Sequence, residues 1–151
     1  MPTEISARVR ADVAKRAAYC CECCLVREED AGFTHQIDHI ISRKHGGTPE
    51  SANLAYACVL CNRAKGSDVA GIDPRTGEAV RLFNPRVDRW AEHFRIQEAQ
   101  IVPLTAEGEA TVRLLRLNAP ERVAERALSS FRLPVPDWST DSDTSAAQLR
   151  F

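Results

Sequence analysis

The sequence predicts a small α+β fold in which a strand–loop–strand–helix unit lies between two groups of cysteines. Three observations lead to this prediction. Apolar residues recur at helical spacing near the N-terminus. Two β-prone runs between residues 33 and 59 are separated by a loop rich in glycine and small polar residues. All six cysteines fall at residues 20–24 and 58–61. With 151 residues, the chain can form one domain with or without an appendage.

The composition narrows the class of protein. Hydrophobic residues make up 44% of the chain, enough for a core, but no apolar run approaches the ~20 residues of a membrane-spanning helix. The first residues lack the apolar centre of a signal peptide, so we expect a cytoplasmic, reducing location and no membrane partner. The net charge of −1 predicts that any contact with nucleic acid is local rather than spread over the surface.

The N-terminal segment is predicted to be a helix over residues 3–18. Thr3 is the expected N-cap, and an apolar residue recurs every fourth position. This stripe favours a helix that packs on the rest of the protein with its basic residues in solvent. The alternative is a helix that binds DNA through those basic residues.

The central unit is predicted to run from a strand over residues 33–41, through a loop at 42–51, to a second strand at 54–59 and a helix at 62–69. Beyond Gly71, turn signals at 72–77 are followed by predicted strands at 80–83, 90–96 and 99–104. Thr105 caps a predicted helix that ends near Leu117 with Asn118 as its C-terminal cap. Pro120 lies in the first turn of a last helix at 119–131.

These features predict three parts of the chain. Residues 1–70 form the core with its N-terminal helix, and residues 71–133 form an extension of strands and helices packed on or beside the core. Residues 134–151 are polar and interrupted by proline, which predicts a mobile tail.

The two cysteine groups predict a structural zinc site. Two residues between cysteines allow one tight turn to present both sulfurs, and four thiolates satisfy tetrahedral Zn²⁺. The stretch between Cys24 and Cys58, residues 25–57, is longer than the ~15–20 residues of simple zinc ribbons because the hairpin is inserted there. Spacing alone leaves two upstream pairs open, Cys20 with Cys23 or Cys21 with Cys24.

Asp38 and His39 form the second candidate site. A carboxylate binds hard cations such as Mg²⁺ or Mn²⁺, and a neutral imidazole can accept a proton from water near pH 7. The alternative is ordinary surface polarity. Adjacent strand residues point to opposite faces, so the two side chains can share one site only where the strand twists, bulges or ends.

Other polar residues could complete that site. Asn53 could fix the loop at residues 42–51, although asparagine before a strand is also a common turn residue. Asn62 could offer its side-chain oxygen to a cation or serve as an N-cap, and Lys65 could contact a phosphate. His35 is expected to be packed. The candidate substrate-binding residues are basic side chains around the hairpin: Arg43, Lys44, His45, Arg63 and Lys65.

Taken together, these segments resemble the HNH endonuclease family, in its branch with a four-cysteine zinc site. The resemblance covers about residues 8–70 and rests on several short segments in a fixed order: Tyr19–Cys24, Ile37–Ile41, His45–Gly47, Asn53–Leu54 and Ala57–Gly66. Residues 82–86 and 90–94 also resemble the C-terminal extension of some bacterial members.

The resemblance implies a ββα-metal core, the HNH or His-Me finger unit, and assigns roles to residues. The zinc ligands would be Cys21, Cys24, Cys58 and Cys61. His39 would be the general base, Asp38 and Asn62 ligands of the catalytic Mg²⁺ or Mn²⁺, and Asn53 the residue that orients the loop. Two positions depart from the family: Asn62 stands where histidine is frequent, and Leu25 where glycine is frequent, a change expected to matter little.

The expected function is therefore that of a metal-dependent DNA endonuclease that hydrolyses phosphodiester bonds, with a structural Zn²⁺ and one catalytic divalent cation. The alternative is a zinc-containing module that binds nucleic acid or protein without catalysis.

Overall fold

The computed structural model describes residues 4–128, which form a mixture of short helices and small two-stranded sheets. The predicted cap Thr3, the end of the last predicted helix and the predicted tail at 134–151 lie outside the described residues. No helix in the described range has both the length and the apolarity needed to cross a membrane.

The helices and strands follow one another as a helix, a hairpin and helix, a second hairpin, a short helix, a third hairpin and two closing helices. In chain order they are α1 (Ala7–Arg16), β1 (Gln36–His39), β2 (Leu54–Ala57), α2 (Val59–Lys65), β3 (Ala70–Ile72), β4 (Ala79–Arg81), α3 (Trp90–His93), β5 (Phe94–Gln97), β6 (Gln100–Pro103), α4 (Ala106–Leu115) and α5 (Pro120–Ala127). Each sheet has two antiparallel strands, β1 with β2, β3 with β4 and β5 with β6.

Helix α1 begins at Ala7, later than predicted, because the Ser6 side chain accepts the backbone N–H of Val9 and caps it. Its apolar stripe packs on the first hairpin, where Val13 and Ala17 join Leu54 and Tyr56 in a small core cluster. The basic residues of α1 were expected in solvent, and this holds only in part, because Arg16 contacts the hairpin.

One basic residue of α1 instead binds the backbone of the hairpin. Arg16 donates from Nη2 to the carbonyl of Leu54 at 2.7 Å and from Nη1 to that of Ser51 at 3.2 Å. The contact attaches the end of α1 to the start of β2.

The first hairpin and α2 follow the predicted order with shorter limits. β1 and β2 pair without interruption from Gln36 opposite Ala57 to His39 opposite Leu54. α2 begins at Val59 rather than residue 62, because the Cys58 sulfur caps the helix by accepting the N–H of Cys61. Asn62 therefore lies inside the helix and is not its N-cap, which corrects one of the two readings of that residue.

The segment after residue 70 departs most from the predictions. β3 was not predicted; it pairs with β4 around the predicted turn at 72–77. The predicted strand at 90–96 is split into the helix α3 and the strand β5. The predictions of Thr105 as an N-cap and Pro120 in a first helical turn are confirmed. Asn118 is not the C-cap of α4, since Arg116 takes that position in the left-handed conformation.

One large core joins residues from both sides of position 70. The buried cysteines Cys21, Cys24, Cys58 and Cys61 belong to the same apolar cluster as side chains of the later segment. Those later side chains are Leu82, Phe83, Trp90, Phe94, Ile101, Ala110, Leu115 and Leu117. The Trp90 ring is 1% exposed and donates from Nε1 to the carbonyl of Cys23 at 3.0 Å.

A buried ion pair adds a polar link between the same two segments. Glu22 is 0% exposed; its Oε2 accepts the backbone N–H of Tyr56 at 2.9 Å, and its Oε1 pairs with Arg86. Burial raises the pKa of Glu22, and Arg86 opposes that shift. Because a buried carboxylate without a partner is costly, Arg86 is needed for Glu22 to remain inside.

Candidate functional site

The structure brings together four cysteine sulfurs, those of Cys21, Cys24, Cys58 and Cys61. Their Sγ atoms all lie within 4.8 Å of one another, and Cys24 Sγ is 3.7 Å from Cys58 Sγ. Sulfurs at ~2.3 Å from a tetrahedral Zn²⁺ stand just under 4 Å apart, so this donor set and spacing fit zinc. The upstream pair is therefore Cys21 with Cys24.

Local backbone geometry orients the sulfurs. Cys21 N–H bonds to the carbonyl of Val26 at 2.9 Å, which closes the upstream turn, and Cys24 N–H points at Cys21 Sγ at 3.5 Å. The downstream pair repeats the arrangement, with Cys61 N–H 3.4 Å from Cys58 Sγ. In both turns the N–H of the second cysteine stabilises negative charge on the first sulfur.

Leu25 follows the upstream pair in a conformation that favours glycine. Its φ is +65°, and its N–H bonds to the carbonyl of Cys21 at 2.9 Å. A side chain in this region of backbone conformation costs roughly 1–2 kcal/mol. The leucine is partly buried against the large core, which offsets some of that cost.

Two buried arginines of α5 approach the sulfur cluster. Arg122 donates from Nη1 to Cys58 Sγ at 3.0 Å, and Arg126, 1% exposed, donates from Nη1 to the carbonyl of Cys24 at 3.0 Å. Burial lowers the pKa of Arg122, but the negative charges of the neighbouring cysteine sulfurs and of Glu125 together raise it more. Hydrogen bonds from Cys21, Cys24 and Cys61 lower the pKa of Cys58. Four thiolates around Zn²⁺ carry a net charge of about −2, which two guanidinium groups balance.

A second polar cluster lies where β1 faces α2. Asn62 Nδ2 donates to Gln36 Oε1 at 2.6 Å. One turn later on α2, Lys65 Nζ lies 3.3 Å from Asp38 Oδ2 and 3.1 Å from the carbonyl oxygen of His39. Burial raises the pKa of Asp38 to about 6, although Lys65 acts against that shift. The structure thus places Asp38 and Asn62 on facing surfaces, each with a neighbouring side chain as partner.

His39 is the last residue of β1, and its pairing with Leu54 is regular. The strand ends at His39, and the end of a strand is one of the places where its ring and the Asp38 carboxylate can share a site. Burial lowers the pKa of His39, and the charges of Arg43 and Lys65 lower it further, which keeps the imidazole neutral near pH 7. Its Nε2 atom is buried without a hydrogen-bond partner.

Asn53 connects the end of β1 to the loop that follows it. Its Oδ1 accepts the N–H of Ile41 at 2.9 Å, and its Nδ2 donates to the carbonyls of Ile41 and Thr48 at 2.9 and 2.8 Å. Gly47 closes the same loop. A Cβ at residue 47 would lie 1.6 Å from the carbonyl oxygen of Ile41, so only glycine fits.

The remaining basic candidates are divided between two surfaces. Arg43, Lys44 and His45 are exposed in a 3₁₀ turn after β1, and His45 lines a cavity of about 410 Å³ that Lys65 also borders. Arg63 is exposed and lines another cavity of about 550 Å³, next to Gln36 and Arg122. The structure does not gather the five basic residues on one patch.

Several residues in these sites were not singled out from the sequence. Gln36, Arg122 and Arg126 carry no recognisable pattern, and the two arginines reach the cysteines over 64 and 102 residues of chain. His35 is packed, as expected: it is 5% exposed, with Nε2 3.0 Å from the carbonyl of Val26.

Comparison with known proteins identifies the segment that carries both sites. Residues 21–68 match the family described as HNH endonuclease, a range that begins at the first sulfur ligand and ends just after α2. No curated protein and no solved structure matches the chain. The matched range contains the four clustered cysteines together with Asp38, His39, Asn53, Asn62 and Lys65. Residues 21–68 are therefore similar to the HNH endonuclease family.

Proposed function

We propose that the protein is a metal-dependent endonuclease that hydrolyses phosphodiester bonds in DNA. The observation that carries the proposal is the meeting of β1 and α2, where Lys65 contacts both the Asp38 carboxylate and the backbone carbonyl of His39, inside the segment that matches the HNH family. In this proposal β1, β2 and α2 are the ββα-metal unit of the family. Residues 1–70 form the nuclease core, and residues 71–133 form its extension.

His39 is the proposed general base. Its lowered pKa leaves the ring neutral near pH 7, so it can accept a proton from the water that attacks the phosphorus atom. Because Nε2 is enclosed, we assign proton acceptance to Nδ1. Asn53 and Gly47 hold the loop that leaves β1, and this fixes the backbone on which the ring is mounted.

Asp38 and Asn62 are the proposed ligands of the catalytic cation. A carboxylate and an amide oxygen are the donors that Mg²⁺ and Mn²⁺ prefer, and the Asp38 carboxylate already faces one positive charge, the Lys65 ammonium. These observations fit a cation at this position. When bound, the cation would stabilise negative charge on the scissile phosphate and on the departing oxygen.

The four-cysteine cluster is the proposed structural zinc site. All four sulfurs are protein ligands, so no position is left for substrate or water. It holds the upstream turn against the start of α2, and thus fixes both ends of the β1–β2 hairpin. Such a thiolate site needs a reducing location, and we propose the cytoplasm.

The substrate contacts are proposed for the exposed basic residues around the hairpin. Arg43, Lys44 and His45 follow the base on the chain, while Arg63 extends from α2. Because the net charge of the protein is −1, we expect contacts with a few phosphates near the cut rather than a long tract of DNA.

The ion pair between Asp38 and Lys65 supports a second candidate function. Asp38 is paired with Lys65, and Asn62 with Gln36, so the same residues could simply join β1 to α2. The protein would then be a zinc-containing module that binds nucleic acid or protein without cutting it.

A plasmid-nicking assay separates the two functions. The zinc-loaded protein is incubated with supercoiled plasmid in Mg²⁺ or Mn²⁺, with and without EDTA, and His39→Ala is compared with the parent. We expect His39→Ala to lower the cleavage rate by ~10²-fold or more. His45→Ala, which removes an exposed imidazole a few residues away, should reduce the rate far less. Equal rates for His39→Ala and the parent, or cleavage that EDTA leaves intact, would contradict the proposal.

A further inference from the structure

The Lys65 ammonium lies where a cation bound to Asp38 would have to be. Its Nζ is 3.3 Å from Asp38 Oδ2 and 3.4 Å from Oδ1, so it covers both oxygens of the carboxylate. Only 11% of the Lys65 side chain and 10% of the Asp38 side chain are exposed. A divalent cation that uses either oxygen must therefore displace the ammonium or share the carboxylate with it.

We propose that Lys65 is an exchangeable counter-ion: it neutralises Asp38 in the free protein and transfers to a phosphate of the nucleic acid when a divalent cation binds. The inference rests on the proposed function, because it takes Asp38 as the ligand of the catalytic cation. It adds a means by which binding of cation and binding of substrate become coupled.

A cavity beside Lys65 offers its ammonium group a second position, away from Asp38. The residue borders the cavity of about 410 Å³ together with His45, Arg81 and Asn84. Arg81 is engaged by Asp88, with Nη1 and Nη2 at 2.6 and 2.9 Å from its two carboxylate oxygens. The lysine side chain has four rotatable methylene groups and a compact charge, so it can turn from Asp38 toward a phosphate in this cavity without moving the backbone of α2.

Charge balance explains why Lys65 leaves Asp38 only when a divalent cation and a phosphate of the nucleic acid are both bound. A divalent cation beside an unmoved ammonium would place three positive charges against one partly buried carboxylate. A phosphate in the cavity supplies the negative charge that lets the ammonium leave. Binding is then reciprocal: nucleic acid tightens the binding of the cation, and the cation tightens the binding of nucleic acid by the same factor.

The first test measures Mn²⁺ binding without nucleic acid, by electron paramagnetic resonance of free Mn²⁺ at pH 8 on the zinc-loaded full chain. Lys65→Met removes the charge and keeps the length of the side chain, so Mn²⁺ should bind at least about tenfold more tightly than to the parent. Lys65→Arg keeps a cation and should bind as weakly as the parent. Lys15→Met, an exposed position at the end of α1, controls for the general loss of one positive charge. Asp38→Asn added to Lys65→Met should abolish the gain.

The second test adds a short DNA duplex to protein that carries His39→Ala, which keeps the backbone carbonyl that Lys65 contacts. DNA should tighten Mn²⁺ binding in this protein by about tenfold or more, and adding Lys65→Met should remove that dependence. Circular dichroism checks that each variant is folded.

Equal Mn²⁺ affinity in Lys65→Met and the parent would overturn the exchange, even if the plasmid assay shows a cation-dependent nuclease. A gain in Mn²⁺ affinity that survives Asp38→Asn would also overturn it, because the cation would then bind elsewhere. Failure of the proposed function is seen separately, as cleavage that is absent or insensitive to EDTA and His39→Ala.

Discussion

The protonation state of His39 decides when the proposed base can act. Burial is the main cause of its lowered pKa, with smaller effects from the positive charges of Arg43 and Lys65. A lowered pKa means that the neutral imidazole, which accepts the proton, persists to lower pH than for an ordinary histidine. The same shift makes the folded state bind fewer protons than the unfolded chain, so this residue adds stability above pH 6.5 and loses it as the pH falls.

We therefore predict that kcat/KM for plasmid nicking is level above pH 7 and declines only below about pH 6.5, the ordinary pKa of histidine. Arg43→Met removes one of the charges that lower the pKa of His39, so the bend in the profile should move upward by about 0.3 pH unit or more. Lys44→Met, at the neighbouring exposed position, should leave the bend in place, because Lys44 is not among the charges that act on His39. A bend above pH 6.5 in the parent, or no shift in Arg43→Met, would contradict the assignment. Burial raises the pKa of Asp38 to about 6, in the same pH range, so the shift produced by Arg43→Met, rather than the bend alone, identifies His39.

For single residues, the sequence predicts a functional role where the residue belongs to a short local pattern. It misses residues whose partners are distant in the chain. Asp38 and His39 stand together in a strand-like run, and Asn53 precedes the next one, so each could be selected from the chain alone. Glu22 and Arg122 could not, because their partners Arg86 and Cys58 are both 64 residues away. Such contacts depend on how the later helices pack, which one sequence does not reveal.

At the scale of helices and strands, α5 acts as a support for the sulfur cluster. Arg122 reaches Cys58 Sγ from its first turn, and Arg126 one turn later binds the carbonyls of Ala99, Cys24 and Leu117. A helix of eight residues could not bury two arginines at 5% and 1% exposure unless acceptors stabilised them. The cluster and the backbone carbonyls supply those acceptors.

We predict that Arg122→Met lowers the affinity for zinc by about 10- to 100-fold, as loss of a group hydrogen-bonded to a metal ligand commonly does. The methionine keeps most of the apolar volume, so the effect reports the loss of the charge and of its bonds to Cys58 and Glu125. Competition with a chromogenic zinc chelator measures the affinity, and Arg113→Met on the exposed side of α4 serves as the control. An unchanged affinity in Arg122→Met would show that α5 packs beside the cluster without stabilising it.

The sequence predicts the start of a helix well where one residue there has a known capping or first-turn preference. Thr105 caps α4 by accepting the N–H of Gly108 at 3.0 Å, and Pro120 begins α5. The predicted start of α2 is wrong because its capping group is the sulfur of Cys58, and cysteine is not one of the usual N-cap residues. The residues of α3 and β5 follow one another directly, with no glycine, proline or turn residue to signal the change from helix to strand at Phe94.

At the scale of the whole molecule, the cysteine cluster and the segment after residue 70 share one core. The ring of Phe94 packs against those of Phe83 and Trp90, with centroids 5.3 and 4.9 Å away, in the cluster that contains all four clustered cysteines. Zinc in this position would bind the hairpin ends and also give the later segment a fixed surface to pack on. Binding of a structural metal is coupled to folding, so its loss should affect both segments.

Trp90 reports this coupling directly. Its ring is 1% exposed and its indole N–H binds the carbonyl of Cys23, between two of the sulfur ligands. In a Trp138→Phe background, where Trp90 is the only tryptophan, removal of zinc with a strong chelator should shift the fluorescence emission to longer wavelength as the ring meets water. Adding zinc back should reverse the shift, and Cys58→Ser should show the shifted spectrum before any chelator is added. An unchanged Trp90 emission after metal analysis has shown full loss of zinc would mean that the segment after residue 70 holds its packing without the metal, and that the sulfur cluster stabilises only the hairpin.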